Sequence, residues 1–164
     1  MKKAEIYGQV FVYILMIVVF AAILIYGAHQ IQRLMQQGDK IDKERFKLEL
    51  KDALADNIEY GDTEVRQFKI PGAYEEVCFV DEATYGDSDQ IRKLPYPLIK
   101  DSVESGSKNN LFLYPDGADS FDVGPIKTYD TNNAPQAFVC ITIDNQKITV
   151  RLEGIGDATK VIPI

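Results

Sequence analysis

Charged side chains are missing from Ile6 to Ala28, histidine occurs once, at His29, and cysteine only at Cys78 and Cys140. Each scarcity excludes something. With its one histidine at the end of the uncharged run, the chain is not expected to build a Ser-His-Asp or Cys-His catalytic arrangement. Two cysteines, neither in a CxxC or Cys/His cluster, fall short of a zinc site. No GxGxxG, Walker, HExxH or GxSxG motif occurs, and no Asn-x-Ser/Thr acceptor for glycosylation. The expectation is a non-enzyme without metal or cofactor. Basic residues are also in deficit. The formal net charge is -7, and because residues 1–28 hold Lys2, Lys3 and Glu5, residues 29–164 carry -8. Phosphate binding needs clustered Lys and Arg, so nucleic acid is not an expected partner. The same acidity argues against adhesion to anionic lipid surfaces and for a solvated, self-repelling exterior.

What fills the uncharged stretch is IYGQVFVYILMIVVFAAILIYGA. An α-helix rises about 1.5 Å per residue, so about 20 apolar residues cross a hydrocarbon core of about 30 Å. The run is longer than the roughly 7–15 apolar residues of a secretory signal, and Gly27-Ala28-His29-Gln30 lacks a small-x-small cleavage site. A membrane anchor follows, with the lipid bilayer as its partner and Tyr7, Tyr13 and Tyr26 towards the two interfaces. The nearby basic residues, Lys2 and Lys3 before the run and Arg33, Lys40 and Lys43 after it, nearly balance. Orientation then rests on the cysteines. Each lies in a strand-like apolar run, EEVCFVD or AFVCITI. They are either bonded to each other outside the cytoplasm or two separate buried thiols, since Cys packs as a small hydrophobe. The disulfide, with the short N-terminal flank, places the N-terminus in the cytoplasm and the C-terminal domain outside a single-pass cell-membrane anchor.

The fold expected is α+β: an N-terminal transmembrane helix continuing as an amphipathic stalk helix, then a small antiparallel β-sheet domain packed on it. Residues 1–28 form the leader and anchor, 29–60 the stalk, and 61–164 the extracytoplasmic β-rich domain. In the stalk, Leu34, Ile41 and Leu48 recur every seven residues, and Phe46, Leu50, Ala53, Leu54 and Ile58 form one apolar stripe. Gly38-Asp39 marks a kink or a break, with Asp39 capping a second helix. Beyond it, GDTEVRQFKIPG, with Val65, Phe68 and Ile70 closed by Pro71-Gly72, EEVCFVD and NLFLYPDG read as strands and FDVGPIKTYD as a strand or an extended edge, while Leu94-Pro95-Tyr96-Pro97 excludes regular sheet. AFVCITI and KITVRLEG around Asp144-Asn145-Gln146 read as a β-hairpin with a central first strand. KVIPI reads as an edge strand blunted by Pro163.

Acidic loops are the remaining candidates: Asp81 and Glu82, Asp87 and Asp89, and Asp116, Asp119 and Asp122 in PDGADSFDVG. The last has a calcium-loop flavour without EF-hand spacing, and solvated turns are the expectation. Tyr85, Tyr96, Tyr114 and Tyr129 lie beside turns, as covers for the sheet or as a binding surface.

In its order of parts the chain resembles archaeal type IV pilin-like proteins: a short basic leader, an apolar helix continuing as an amphipathic one, and a β-rich head. Lys3-Ala4-Glu5-Ile6 matches the family's loose pattern for cleavage by a prepilin peptidase after Ala4. In the alternative register Gly8-Gln9-Val10-Phe11-Val12-Tyr13 resembles the Gly-Gln junction of archaeal pilins, with Tyr7 in place of the usual basic residue and Tyr13 in place of a frequent glutamate. The resemblance implies candidate cleavage residues Ala4, Glu5, Gly8 and Gln9, pilin-like subunits as partners, and a structural role in a surface filament or secretion system. The alternative expectation is a bitopic membrane protein whose β-rich ectodomain binds a ligand or a partner protein.

Overall fold

The computed structural model describes residues 2–72, 74–84, 88–115 and 119–164, with the side chains of residues 2–9, 32–37, 39 and 88 outside that description. The protein is α+β, with two compact units, Met1–Ile41 and Asp42–Ile164. Helix α1 (Lys2–Asp56) begins in the first unit and ends in the second. It runs without interruption through Gly38, where a Cβ would meet nothing within 4 Å. The helix therefore neither breaks nor is capped anew at Asp39. One glycine in a run of Gln, Lys, Glu and Leu is outweighed by its neighbours' helix propensity. Gly38→Ala is expected to raise local helix stability by about 1 kcal/mol, checked by helical content on heating in detergent.

In the second unit, Phe46, Leu50, Ala53 and Leu54 of α1 are buried in one core with residues of two sheets. Their spacing places them on one side of the helix. The five-stranded sheet has the order β1-β8-β9-β5-β6 and the four-stranded sheet the order β4-β3-β2-β7. In the first, β1 (Thr63–Lys69), β8 (Lys147–Gly154) and β9 (Thr159–Pro163) run antiparallel, and β5 (Ile126–Tyr129) lies parallel to β9 and antiparallel to β6 (Pro135–Gln136). The second comprises β2 (Glu76–Val80), β3 (Leu111–Tyr114), β4 (Ser120–Phe121) and β7 (Phe138–Thr142), all antiparallel. Strand β8 shows the logic: Ile148, Val150 and Leu152 turn inward and Lys147, Thr149, Arg151 and Glu153 outward.

Three expectations are corrected. β7 and β8 do not form a hairpin ladder. Asn145 and Gln146, at φ 51° and 60°, make the tight turn, and Asp144 and Lys147 bridge it. Beyond that bridge β7 pairs with β2 while β8 pairs with β1 and β9, so the turn is a corner between sheets. β7 is accordingly an edge strand, not a central one. β9, in turn, is internal. Pro163 is tolerated there because the β5 ladder stops at Val161, so its missing N–H breaks no bond on that side. Between Glu82 and Asn110, where regular sheet was not expected, the described residues form helices α2 (Ser88–Ile91) and α3 (Pro97–Glu104). Pro97 opens α3, and Ile99 and Val103, one turn apart, are buried against Cys78, Val80 and Phe112.

Candidate functional site

The most unusual surface of the protein is the helical segment Val10–Ile31, 22 residues long and apolar enough to cross a bilayer. At about 1.5 Å per residue it is about 33 Å long. Its large side chains are open on every side of the helix: Phe11 is 66 % exposed, Phe20 64 % and Ile25 72 %, with Tyr13 and Tyr26 at 66 % and 68 %. Soluble monomers rarely leave a contiguous apolar patch larger than a few hundred Å² in water. Ala4, Glu5, Gly8 and Gln9 lie in the first turns of α1, and their side chains fall outside the described residues.

Cys78 and Cys140 form a disulfide. They face each other in register across β2 and β7, with Cα atoms 4.0 Å apart. Glu76, two residues before Cys78, brings a carboxylate oxygen within 4.8 Å of both sulfurs. Metal binding by cysteine needs thiolates, and bonded sulfurs are not. This group is a covalent staple on an edge strand.

The acidic loops resolve into separate local devices. Asp81 is buried at the end of β2; its Oδ1 accepts from the Ala83 N–H at 2.9 Å and from Lys127 Nζ at 3.3 Å. Asp122 accepts from the Gly124 N–H at 2.7 Å, closing its own turn. Asp89 lies 3.5 Å from Arg92, and Glu82 opens a short 3-10 turn. Asp87 and Asp116 lie outside the described residues. Asp119 reaches α1, where it accepts from Lys43 Nζ at 2.6 Å and from the Tyr74 hydroxyl. Lys43 also sits over the Tyr74 ring, 5.3 Å from its centroid. No sequence pattern joins these three residues, which are brought together from the helix, the β1–β2 connection and the segment before β4.

The bond from Lys43, then that from Tyr74, holds the Asp119 carboxyl below the ordinary carboxylate range. Conversely, Asp119 first and Tyr74 second raise Lys43, while burial and then the bond to Asp119 raise the Tyr74 phenol. The depressed Asp119 contributes stability above its unfolded pKa of about 3.9, lost as pH falls through the lower folded value. Lys43 and Tyr74, both raised, contribute below about pH 10, and that share is lost as pH rises through their folded values. Both partners of the ion pair are more than a third exposed, so water screens it. Asp119→Asn should lower stability by no more than about 1 kcal/mol and remove part of the acid-side decline in a pH series of melting temperatures.

Three of the four tyrosines beside turns make ring contacts. Tyr96 and Tyr114 stack with centroids 4.1 Å apart at 29°. The Tyr96 hydroxyl donates to Glu76, and that bond, with burial behind it, pushes the phenol up to about 12. Tyr129 covers Lys160, whose Nζ lies 4.4 Å from the ring centroid. Tyr85 lies outside the described residues.

The chain matches no protein-family model, no curated protein and no solved structure.

Proposed function

We propose that this chain is a single-pass membrane-anchored structural protein, a pilin-like subunit or accessory component of a surface filament or secretion system. One observation carries the reading: a helical segment of 22 residues, apolar on all sides, at the head of a chain whose second unit has its own core. Lipid, or the apolar helices of like subunits, is the environment in which such a segment stops ordering water. The disulfide supports an extracytoplasmic head, because such bonds persist in oxidising compartments. The N-terminus is then cytoplasmic, where a prepilin peptidase would meet Ala4-Glu5 or Gly8-Gln9.

Two measurements test this. Alkaline carbonate should leave the native chain in the membrane pellet and mild detergent should release it; release by carbonate alone overturns the anchor. Intact mass of the native protein should show loss of residues 1–4 or 1–8. An unprocessed start with stable membrane residence would instead identify a bitopic protein with a ligand-binding ectodomain.

A further inference from the structure

The second unit is strongly acidic: residues 42–164 carry 14 Lys and Arg against 23 Asp and Glu. On the outward face of the five-stranded sheet the sign reverses. Lys69 on β1 stands directly opposite Lys147 on β8, and Lys127 on β5 directly opposite Lys160 on β9. Arg151 lies between the two pairs, four residues along β8 from Lys147. Alternation puts all five on one face, because Phe68, Ile148, Val150, Leu152 and Val161 fill the core from the other. Like charges directly opposite across a ladder are destabilising, and the chain has acid enough to avoid them. The antiparallel pair Lys69–Lys147 is therefore a cost to the fold that folding itself does not explain.

Three of the five are partly neutralised. Lys127 meets Asp81 at 3.3 Å, and Arg151 and Lys160 share Glu153 at 3.0 and 3.6 Å. Lys69 and Lys147 are exposed, and neither has an acidic partner within 4.0 Å among the described residues. Exposed Val65, opposite Arg151, gives the face an apolar centre.

The complement is on the same chain. Glu49, Asp52 and Asp56 are exposed on α1 at steps of three and four, which aligns them along one side of the helix. The stripe is about 10 Å long by helix rise, and Lys147 to Arg151 spans about 13 Å by strand rise. We infer that the outward face of the five-stranded sheet is a docking surface for a second copy of this chain, received through its acidic α1 stripe. The two surfaces adjoin on one head, since Glu49 and Lys69 line the same depression; a second copy received in this way meets the first either two-fold, with both stripes engaged, or head to tail. This deepens the subunit reading above and rests on it for its biological setting.

The test uses the full chain in non-ionic detergent, with self-association followed by sedimentation at low and high salt. Lys147→Glu converts the Lys69–Lys147 pair into an opposite-charge pair, so its melting temperature should equal or exceed that of the wild type. Its self-association constant should nevertheless fall about fivefold at low salt, and the difference should vanish near 1 M salt. Asp52→Lys should weaken association similarly, and a mixture of the two variants should associate better than either alone. The inference is overturned if the wild type shows no salt-sensitive association, if neither reversal changes it, or if the mixture recovers nothing. It is also overturned if the face retains the chain on anionic vesicles or heparin while the copies remain apart, which would assign it to a polyanion. Each of these results leaves carbonate resistance and the anchor untouched, so failure of the contact and failure of the anchor are separately visible.

Discussion

Gly154→Ala should unfold the head at a markedly lower temperature than the wild type, with a loss of about 3 kcal/mol or more. The reason is backbone, not side chain. A Cβ at Gly154 would lie 1.8 Å from the Glu59 carbonyl oxygen and 2.8 Å from that of Asn57. Residues 57–62, leaving α1, lie across the end of β8 and are pinned to it. The Gly154 N–H donates to Asp62 O at 2.8 Å, the Gly61 N–H to Gly154 O at 3.2 Å, and the Gly156 N–H to Ile58 O at 2.8 Å. Below that crossing, the last carbonyls of α1 find partners that a helix end otherwise lacks. The fully buried Thr159 hydroxyl lies 2.7 Å from Leu54 O and 3.2 Å from Asn57 O, and the Asn57 amide donates to Ala53 O. A methyl group at residue 154 cannot enter without moving the whole clasp. For a head of this size the loss should appear as a fall in melting temperature of about 10 °C or more. Gly38→Ala in the same protein serves as the control with open space. A melting temperature for Gly154→Ala within a degree or two of wild type would contradict the close approach.

Removing the disulfide should have a comparable effect. Cys78 and Cys140 are 62 residues apart in sequence, and on the chain-entropy model closing such a loop stabilises the fold by about 4 kcal/mol. The bond also has a local role. β7 is paired on one side only, with β2, and its far end turns the corner into the other sheet. Cys78→Ser with Cys140→Ser should therefore lower the unfolding midpoint in urea. It should also raise hydrogen exchange first in β7, before β2 or β8. Uniform exchange across both sheets, or an unchanged midpoint, would show that the staple adds nothing to the edge strand.

Much of the local structure was legible from side-chain order. The apolar run of α1, the alternation in KITVRLEG, the strand-like GDTEVRQFKIPG closed by Pro71-Gly72, and the apolar cores of EEVCFVD and NLFLY mark elements close to those observed. Helix α3 left a fainter mark, Pro97 followed by Ile99 and Val103, too short to stand out by periodicity. The partnership of Lys43, Tyr74 and Asp119 left none, since each is an ordinary surface residue type in its own segment. The outward lysines were visible as single charges; their opposition in pairs is a property of register, which only neighbouring strands create.

Sequence alone determined what depends on residues near one another in the chain. A charge-free helical run seeks an apolar surrounding, an acidic remainder stays solvated, and alternating residues make strands with one oily side. Only the tertiary structure decided what depends on distant segments. It turned an apparent hairpin into a corner between two sheets, seated the C-terminal strand inside one of them, and joined two cysteines across its neighbour. The physical reason is that strand pairing is selected by shared burial and by the entropy of closing long loops, and neither is written in any local pattern.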